Sequence, residues 1–190
     1  MSEQDRIKWN QRYAGNTYRK GNPVSLLEDW LPRLPAGKAL DVACGAGRNA
    51  IRLAQAGFEV DAIDISAEGL ELGRQKAASL GLEISWIEHD LDLPYPFDTD
   101  YQVILILWYV DLELVARLAG CLAPGGYLLC EEHLQTDAEV VGPGNRNFRV
   151  APGALRGAVA DLEVLLDRES IRENEMGEAM ASARIVARRG

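Results

Sequence analysis

The chain has 190 residues, 47% of them hydrophobic and 26% charged, and a formal net charge of −9. That is ordinary for a globular chain and long enough for one domain with a substantial core. An acidic balance without a basic stripe argues against a nucleic-acid substrate, and no apolar run approaches the roughly 20 residues a membrane span needs.

The start, Met1-Ser-Glu-Gln-Asp5, is polar and acidic, unlike a targeting segment. Cys44, Cys121 and Cys130 have no paired metal-ligand spacing and are odd in number, so they read as free thiols and no metal site is expected. Together these features place the protein in the cytoplasm.

Residues 5–20 are rich in aromatic and charged groups: Trp9, Tyr13 and Tyr18 among Arg6, Lys8, Arg12, Arg19 and Lys20. Trp9 and Tyr13, four apart, share a face if the segment is helical, either packing on the domain or closing over a ligand as a lid. Leu26 to Leu31 reads as a second short helix ended by Pro32 and Pro35. These elements make residues 1–35 an N-terminal helical lid segment, followed by a doubly wound domain over 36–190.

Ala39, Leu40, Val42 and Ala43 form a run too short for a helix, a buried first strand. It passes through Gly45 and Gly47 into Asn49–Ala56, which has helical spacing, and Gly57 stops that helix. Glycine at such a turn takes positive φ and leaves room for a ligand against the backbone, while the helix N-terminus offers free N–H groups. Phe58–Asp64 is the second strand, and Asp64 lies where a carboxylate meets ribose hydroxyls in a doubly wound fold. Ser66 caps a helix to about Leu80, and Gly81 stops it.

Leu82–Glu88 is the third strand, followed by His89-Asp90-Leu91 and a proline-containing loop. Tyr101–Leu107 is a continuous apolar run, the mark of a central parallel strand, and Trp108 and Tyr109 stand at its carboxyl end. Asp111 caps a helix over Leu112–Leu122. Pro124-Gly-Gly126 turns the chain into a fifth strand, Tyr127–Glu132. The stretch 135–150 lacks apolar periodicity, and its Arg146 and Arg149 are candidates to hold an anionic substrate. Pro152 opens a short helix, and Leu162–Glu169 with Met180–Val186 form a final antiparallel pair. The fold class is therefore α/β: a doubly wound, mostly parallel seven-stranded sheet, helices on both faces and an antiparallel C-terminal edge pair.

Gly45-Ala-Gly47-Arg-Asn-Ala50 fits the dinucleotide pattern G-x-G-x-x-A, which by itself does not identify the ligand. Asp41 separates the readings. A carboxylate near the turn repels a pyrophosphate but attracts a sulfonium and an ammonium.

The repeated β-α order, Asp41-Val-Ala-Cys-Gly45-Ala-Gly47, Asp64 after the second strand, His89-Asp90-Leu91 after the third and Leu122-Ala-Pro-Gly-Gly126 together resemble class I S-adenosylmethionine-dependent methyltransferases. Ala43–Ala50, Trp9-Asn-Gln-Arg-Tyr13 and the segment 142–155 look more narrowly like the tellurite-resistance branch, which is similar to thiopurine methyltransferases. The resemblance implies S-adenosylmethionine as cofactor and S-adenosylhomocysteine as product. It implies that Asp41, Ala43, Gly45 and Gly47 line the methionine part, Asp64 and Ile65 the ribose, Asp90 and Leu91 the adenine, and Leu107 the sulfonium. Many members carry a polar residue where Leu107 stands. The implied acceptor is a small molecule, a thiol or a tellurium or selenium oxyanion, enclosed by Trp9, Tyr13 and Tyr109 and steered by Arg146 and Arg149. His133 is the candidate general base, if the acceptor needs one. A nicotinamide-dependent oxidoreductase and a binding protein that keeps the cofactor but transfers nothing are the rival readings.

Overall fold

Apolar alternation and turn residues resolve into seven strands: β1 (Lys38–Val42), β2 (Glu59–Asp64), β3 (Ser85–Glu88), β4 (Tyr101–Leu107), β5 (Leu122–His133), β6 (Glu163–Glu173) and β7 (Ala179–Arg188). The helices are α1 (Glu3–Ala14), α2 (Ser25–Trp30), α3 (Arg48–Gln55), α4 (Ala67–Ser79), α5 (Leu112–Ala119) and α6 (Ala154–Ala158). The computed structural model describes residues 3–15, 21–174 and 176–190. Tyr18, Arg19 and Lys20 lie outside the described residues.

The strands form one sheet in the order β3-β2-β1-β4-β5-β7-β6. β1 to β5 pair in parallel, whereas β7 runs antiparallel to both β5 and β6, as the sequence pattern predicts. Both faces are covered. Leu40, Val42, Ile104, Ile106, Leu128 and Cys130 pack with α5 and α6. Ala39, Val103, Leu105 and Leu129 pack on the other side with residues of α2, α3 and α4. Burial on both faces explains the unbroken apolar run of β4.

Local capping chemistry sets two helix starts. Ser66 Oγ accepts the Gly69 N–H at 3.1 Å, and Asp111 Oδ1 accepts the Leu114 N–H at 2.9 Å. Several boundaries differ from the sequence reading. α5 ends at Ala119 because Gly120 caps it, and β5 already begins at Leu122. Pro124-Gly-Gly126 therefore lies inside β5, where the register against β4 shifts between Tyr101 and Val103: a bulge rather than a turn. β3 starts at Ser85 rather than Leu82, since it is an edge strand that pairs only from Asp61 onwards. Pro32 sits within a 3-10 turn, Leu31–Arg33, that prolongs α2 rather than ending it.

Candidate functional site

The strand order reverses between β1 and β4, so their following loops diverge and leave a crevice at the carboxyl edge. Among the described residues, the two non-glycine residues with positive φ are Ala43 (54°) and Trp108 (63°). Each follows one of these two strands directly. Backbone strain of this kind, about 1–3 kcal/mol per residue, collects where surrounding structure holds a functional geometry.

After β1 the chain enters the glycine turn. Gly45 has φ 58° and Gly47, the residue preceding α3, has φ 71°. Two carboxylates brace this turn from below. Asp64 Oδ2 accepts the Gly45 N–H at 2.8 Å while its Oδ1 accepts the Ser66 N–H at 2.8 Å. Asp41 Oδ2 accepts the Ala50 N–H at 2.9 Å and so caps the first turn of α3. Burial pushes the Asp41 carboxyl up to about 7, against the pull of the Ala50 N–H and the Arg48 charge. Asp64 is raised too, again by burial, with the backbone N–H groups opposing. The sequence reading of Asp41 thus needs refinement. Only 1% exposed, it acts on the turn through the helix N-terminus rather than as an open wall of the crevice. Cys44, also buried, is held as a neutral thiol by burial and by these two carboxylates.

Two aromatic rings close on the same turn. A methyl group on Gly45 would collide with the Tyr13 hydroxyl, and one on Gly47 or Gly73 with the Trp86 indole. Tyr13 also lies against Gly69. α1 is fastened there by Asn10, whose Oδ1 accepts the Ser66 hydroxyl at 2.7 Å and the Glu68 N–H at 3.3 Å. Trp9 stacks beside Tyr13 with ring centroids 6.2 Å apart, as their spacing predicts. Sequence reasoning missed Trp86 and Asn10. The readable signal was Gly69 and Gly73, four apart on one face of α4, a gap that only a ring from elsewhere fills.

Beyond β2 and β3 opens a cleft of about 410 Å³ lined by Glu3, Arg6, Ile65, Glu88, His89 and Asp90. Ile65 and Asp90, both candidates from the sequence, line it. The Leu91 side chain is in the core, so only its backbone can face a ligand. The cleft lies at the carboxyl ends of β2 and β3, one strand over from the crevice between β1 and β4.

The carboxyl ends of β4 and β5 are built differently. Trp108 N–H donates to Glu131 O at 2.9 Å, and Tyr109 N–H to Glu132 Oε1 at 3.0 Å. The Trp108 ring lies 4.6 Å from that of His133, and Leu107 is buried beneath them at 6% exposure. The Tyr109 hydroxyl reaches Asp92 Oδ1 at 3.2 Å and is pushed up to about 12 by burial and nearby carboxylates. Glu131 pairs with Arg184 at 2.9 Å and with Arg172.

The structure gives three of the sequence candidates partners of their own. The Arg149 guanidinium donates to Pro143 O (2.8 Å), Leu134 O (3.1 Å) and Val141 O (3.3 Å), tying the 135–150 loop together. Arg146 is exposed and pairs with Asp137 at 3.4 Å. His133 is lowered to about 4, first by burial and then by the Arg149 charge. It is neutral at pH 7. Among the described residues no group of three His, Cys, Asp or Glu side chains is arranged to hold a metal ion, and no helix is long and apolar enough to cross a membrane.

Residues 39–126 match a protein-family model described as a methyltransferase domain. The fold is a methyltransferase fold. TehB from Haemophilus influenzae superposes with a TM-score of 0.75 at 22% identity, covering 95% of this chain and 67% of TehB. Magnesium protoporphyrin IX methyltransferase (ChlM) from Synechocystis PCC 6803, solved with bound S-adenosylmethionine, gives a TM-score of 0.69 at 20% identity, covering 98% of this chain and 96% of ChlM. At such identities the likeness speaks to the fold alone. In sequence, YqeM of Bacillus subtilis, a methyltransferase by name alone, is 35% identical over 106 residues, 51% of this chain and 42% of YqeM. The chain spans about half the length, or less, of the curated relatives it matches.

Proposed function

We propose that this chain transfers a methyl group from S-adenosylmethionine to a small molecule. The observation that carries the reading is the glycine turn, left-handed at Gly45 and Gly47 and clamped by Asp64, at the β1/β4 switch point within the matched methyltransferase stretch. Gly45, Gly47 and Ala43 would hold the methionine part, with Asp41 setting the turn's shape. Asp64 and Ile65 would meet the ribose, and Asp90 with the Leu91 backbone the adenine. Bound there, the sulfonium supplies an activated methyl group for in-line displacement by a soft nucleophile. The chain's own residues orient and enclose: Tyr13 and Trp86 flank the turn, and Leu107 and Trp108 form the floor and wall toward the acceptor. In this reading residues 1–35 act as a lid, with Trp9 and Tyr13 on its inner face.

A thiol or a chalcogen oxyanion remains our proposed acceptor class, because a thiolate or oxyanion needs no protein base to attack the methyl group. The likeness to TehB supports the tellurite-resistance branch only as a direction for substrate tests. The test is methyl transfer from radiolabelled S-adenosylmethionine across thiols, selenite and tellurite, beside calorimetry with S-adenosylhomocysteine. We expect turnover of at least one acceptor and binding at least tenfold weaker in Asp64→Ala. Unchanged affinity in that variant would remove the assignment of Asp64.

A further inference from the structure

A bulky residue at positive φ is an outlier that its surroundings must hold in place. Trp108, at 63°, is such a residue, and three hydrogen bonds hold its corner. Trp108 N–H donates to Glu131 O at 2.9 Å, Tyr109 N–H to Glu132 Oε1 at 3.0 Å, and the Tyr109 hydroxyl to Asp92 Oδ1 at 3.2 Å. The first two acceptors stand on β5, the neighbour of β4 in the sheet. The third stands on the loop after β3, and both β2 and β1 lie between β3 and β4 in the strand order. The Tyr109–Asp92 bond therefore joins the two sides of the crevice.

Asp92 is set in its turn by Asp90. Asp90 Oδ1 accepts the Asp92 N–H at 3.0 Å, and the Asp90 carbonyl accepts the Leu93 N–H at 2.9 Å, a local turn built by the aspartate side chain. A group that engages Asp90 therefore also fixes Asp92. The Tyr109 hydroxyl keeps its proton to donate. Burial pushes it up to about 12, helped by the carboxylates of Asp111, Asp90, Asp5 and Asp64, drawn from four separate elements. A hydroxyl donated to a carboxylate makes a stronger bond than one donated to a neutral oxygen. A path of hydrogen bonds thus runs from Asp90 through Asp92 and Tyr109 to Glu132.

We infer that Tyr109 is a positioning residue: through Asp92 it latches the corner at Trp108 to the turn at Asp90, so that a ligand engaging Asp90 also fixes the wall across the crevice. Trp108 is the strained element that the latch holds. With the latch open, its backbone relaxes toward negative φ and carries its ring away from His133, now 4.6 Å from it. That the ligand at Asp90 is an adenosyl group rests on the methyltransferase reading. The latch itself does not. On that reading the cofactor shapes the acceptor wall before the acceptor arrives, and the coupling is reciprocal.

The experiment is hydrogen–deuterium exchange of the full chain, read by mass spectrometry in peptides spanning Trp108 and Tyr109, with and without saturating S-adenosylhomocysteine. The wild type is compared with Tyr109→Phe, which keeps the ring, with Asp92→Ala, and with both changes together. In the ligand-free protein we expect exchange about tenfold faster in each single variant. S-adenosylhomocysteine should slow the wild type about tenfold and each variant less than about threefold, and by reciprocity should bind each variant about tenfold more weakly. The double variant should match the singles, since each breaks the same bond. Asp92 is exposed, so Asp92→Ala reports on the latch even if Tyr109→Phe fails to fold. Wild-type exchange in the ligand-free single variants, or effects that add in the double variant, would overturn the latch. S-adenosylhomocysteine that binds the wild type by calorimetry and leaves this exchange unchanged would overturn its link to Asp90. No binding to the wild type would remove the methyltransferase reading, and the ligand-free comparison would still decide the latch.

Discussion

The two halves of the crevice treat buried polarity in opposite ways. At the β1–β2 end, both Asp64 oxygens and Asp41 Oδ2 receive backbone N–H groups, and the glycine turn is fixed before any ligand arrives. At the β5–β7 end, among the described residues, Glu131, Glu132, His133, Arg172 and Ser182 each keep a buried polar atom without a hydrogen-bond partner, near a strained Trp108. The family match runs from 39 to 126, so it covers the first end and stops before the second. A scaffold for a common cofactor can be finished in advance by the chain's own backbone. On the proposed reading, acceptor specificity would lie in residues 127–190.

The sharpest way to break this contrast is Gly45→Ala. Its φ of 58° and the Tyr13 hydroxyl both oppose a Cβ. We expect S-adenosylhomocysteine affinity to fall on the order of a thousandfold, ~4 kcal/mol, by calorimetry, while ligand-free exchange at Trp108 and Tyr109 stays that of the wild type.

The pH dependence of stability separates the two ends next. Asp41 rises in the fold from 3.8 to about 7, so between those values the folded state holds a proton that the unfolded chain has released. Its contribution to stability therefore falls as pH rises through that window, by up to about 1.4 kcal/mol per pH unit, and levels off above it. His133 works the other way. Lowered from 6.5 to about 4, it contributes stability that is present above about 6.5 and is lost as pH falls toward 4. Denaturant titrations of Asp41→Asn from pH 4 to 7 should expose the His133 limb as a steeper rise in stability with pH than in the wild type. A wild-type profile in Asp41→Asn would show that this carboxyl is not raised. The smallest effect is expected of Trp108→Gly, which accepts φ 63° and removes the ring over His133. Cofactor affinity, by calorimetry, should stay within about twofold.

Much of the cofactor end was legible because its determinants are local. The burial of β4, the caps at Ser66 and Asp111 and the glycine turn follow from neighbours in sequence. Asp64 was legible by its place after β2. What it grips was not, because Gly45 lies 19 residues away. Trp86 and Asn10 were missed for the same reason: each meets the turn from an element distant in the chain. The arginines show the limit most clearly. Arg146, Arg149 and Arg172 carry the same charge in sequence, and only the fold gives Arg149 to loop carbonyls and Arg172 to a buried carboxylate. Likewise Pro124-Gly-Gly126 signals a break in pairing, but whether that break is a turn or a bulge is decided by β4 alongside it.

The most direct test is a competitive titration of the wild-type chain with S-adenosylmethionine, S-adenosylhomocysteine and NADH. The expected result is one-to-one binding of both adenosyl ligands, with NADH at least a hundredfold weaker. Tighter binding of NADH, or no binding of either adenosyl ligand, would contradict the account.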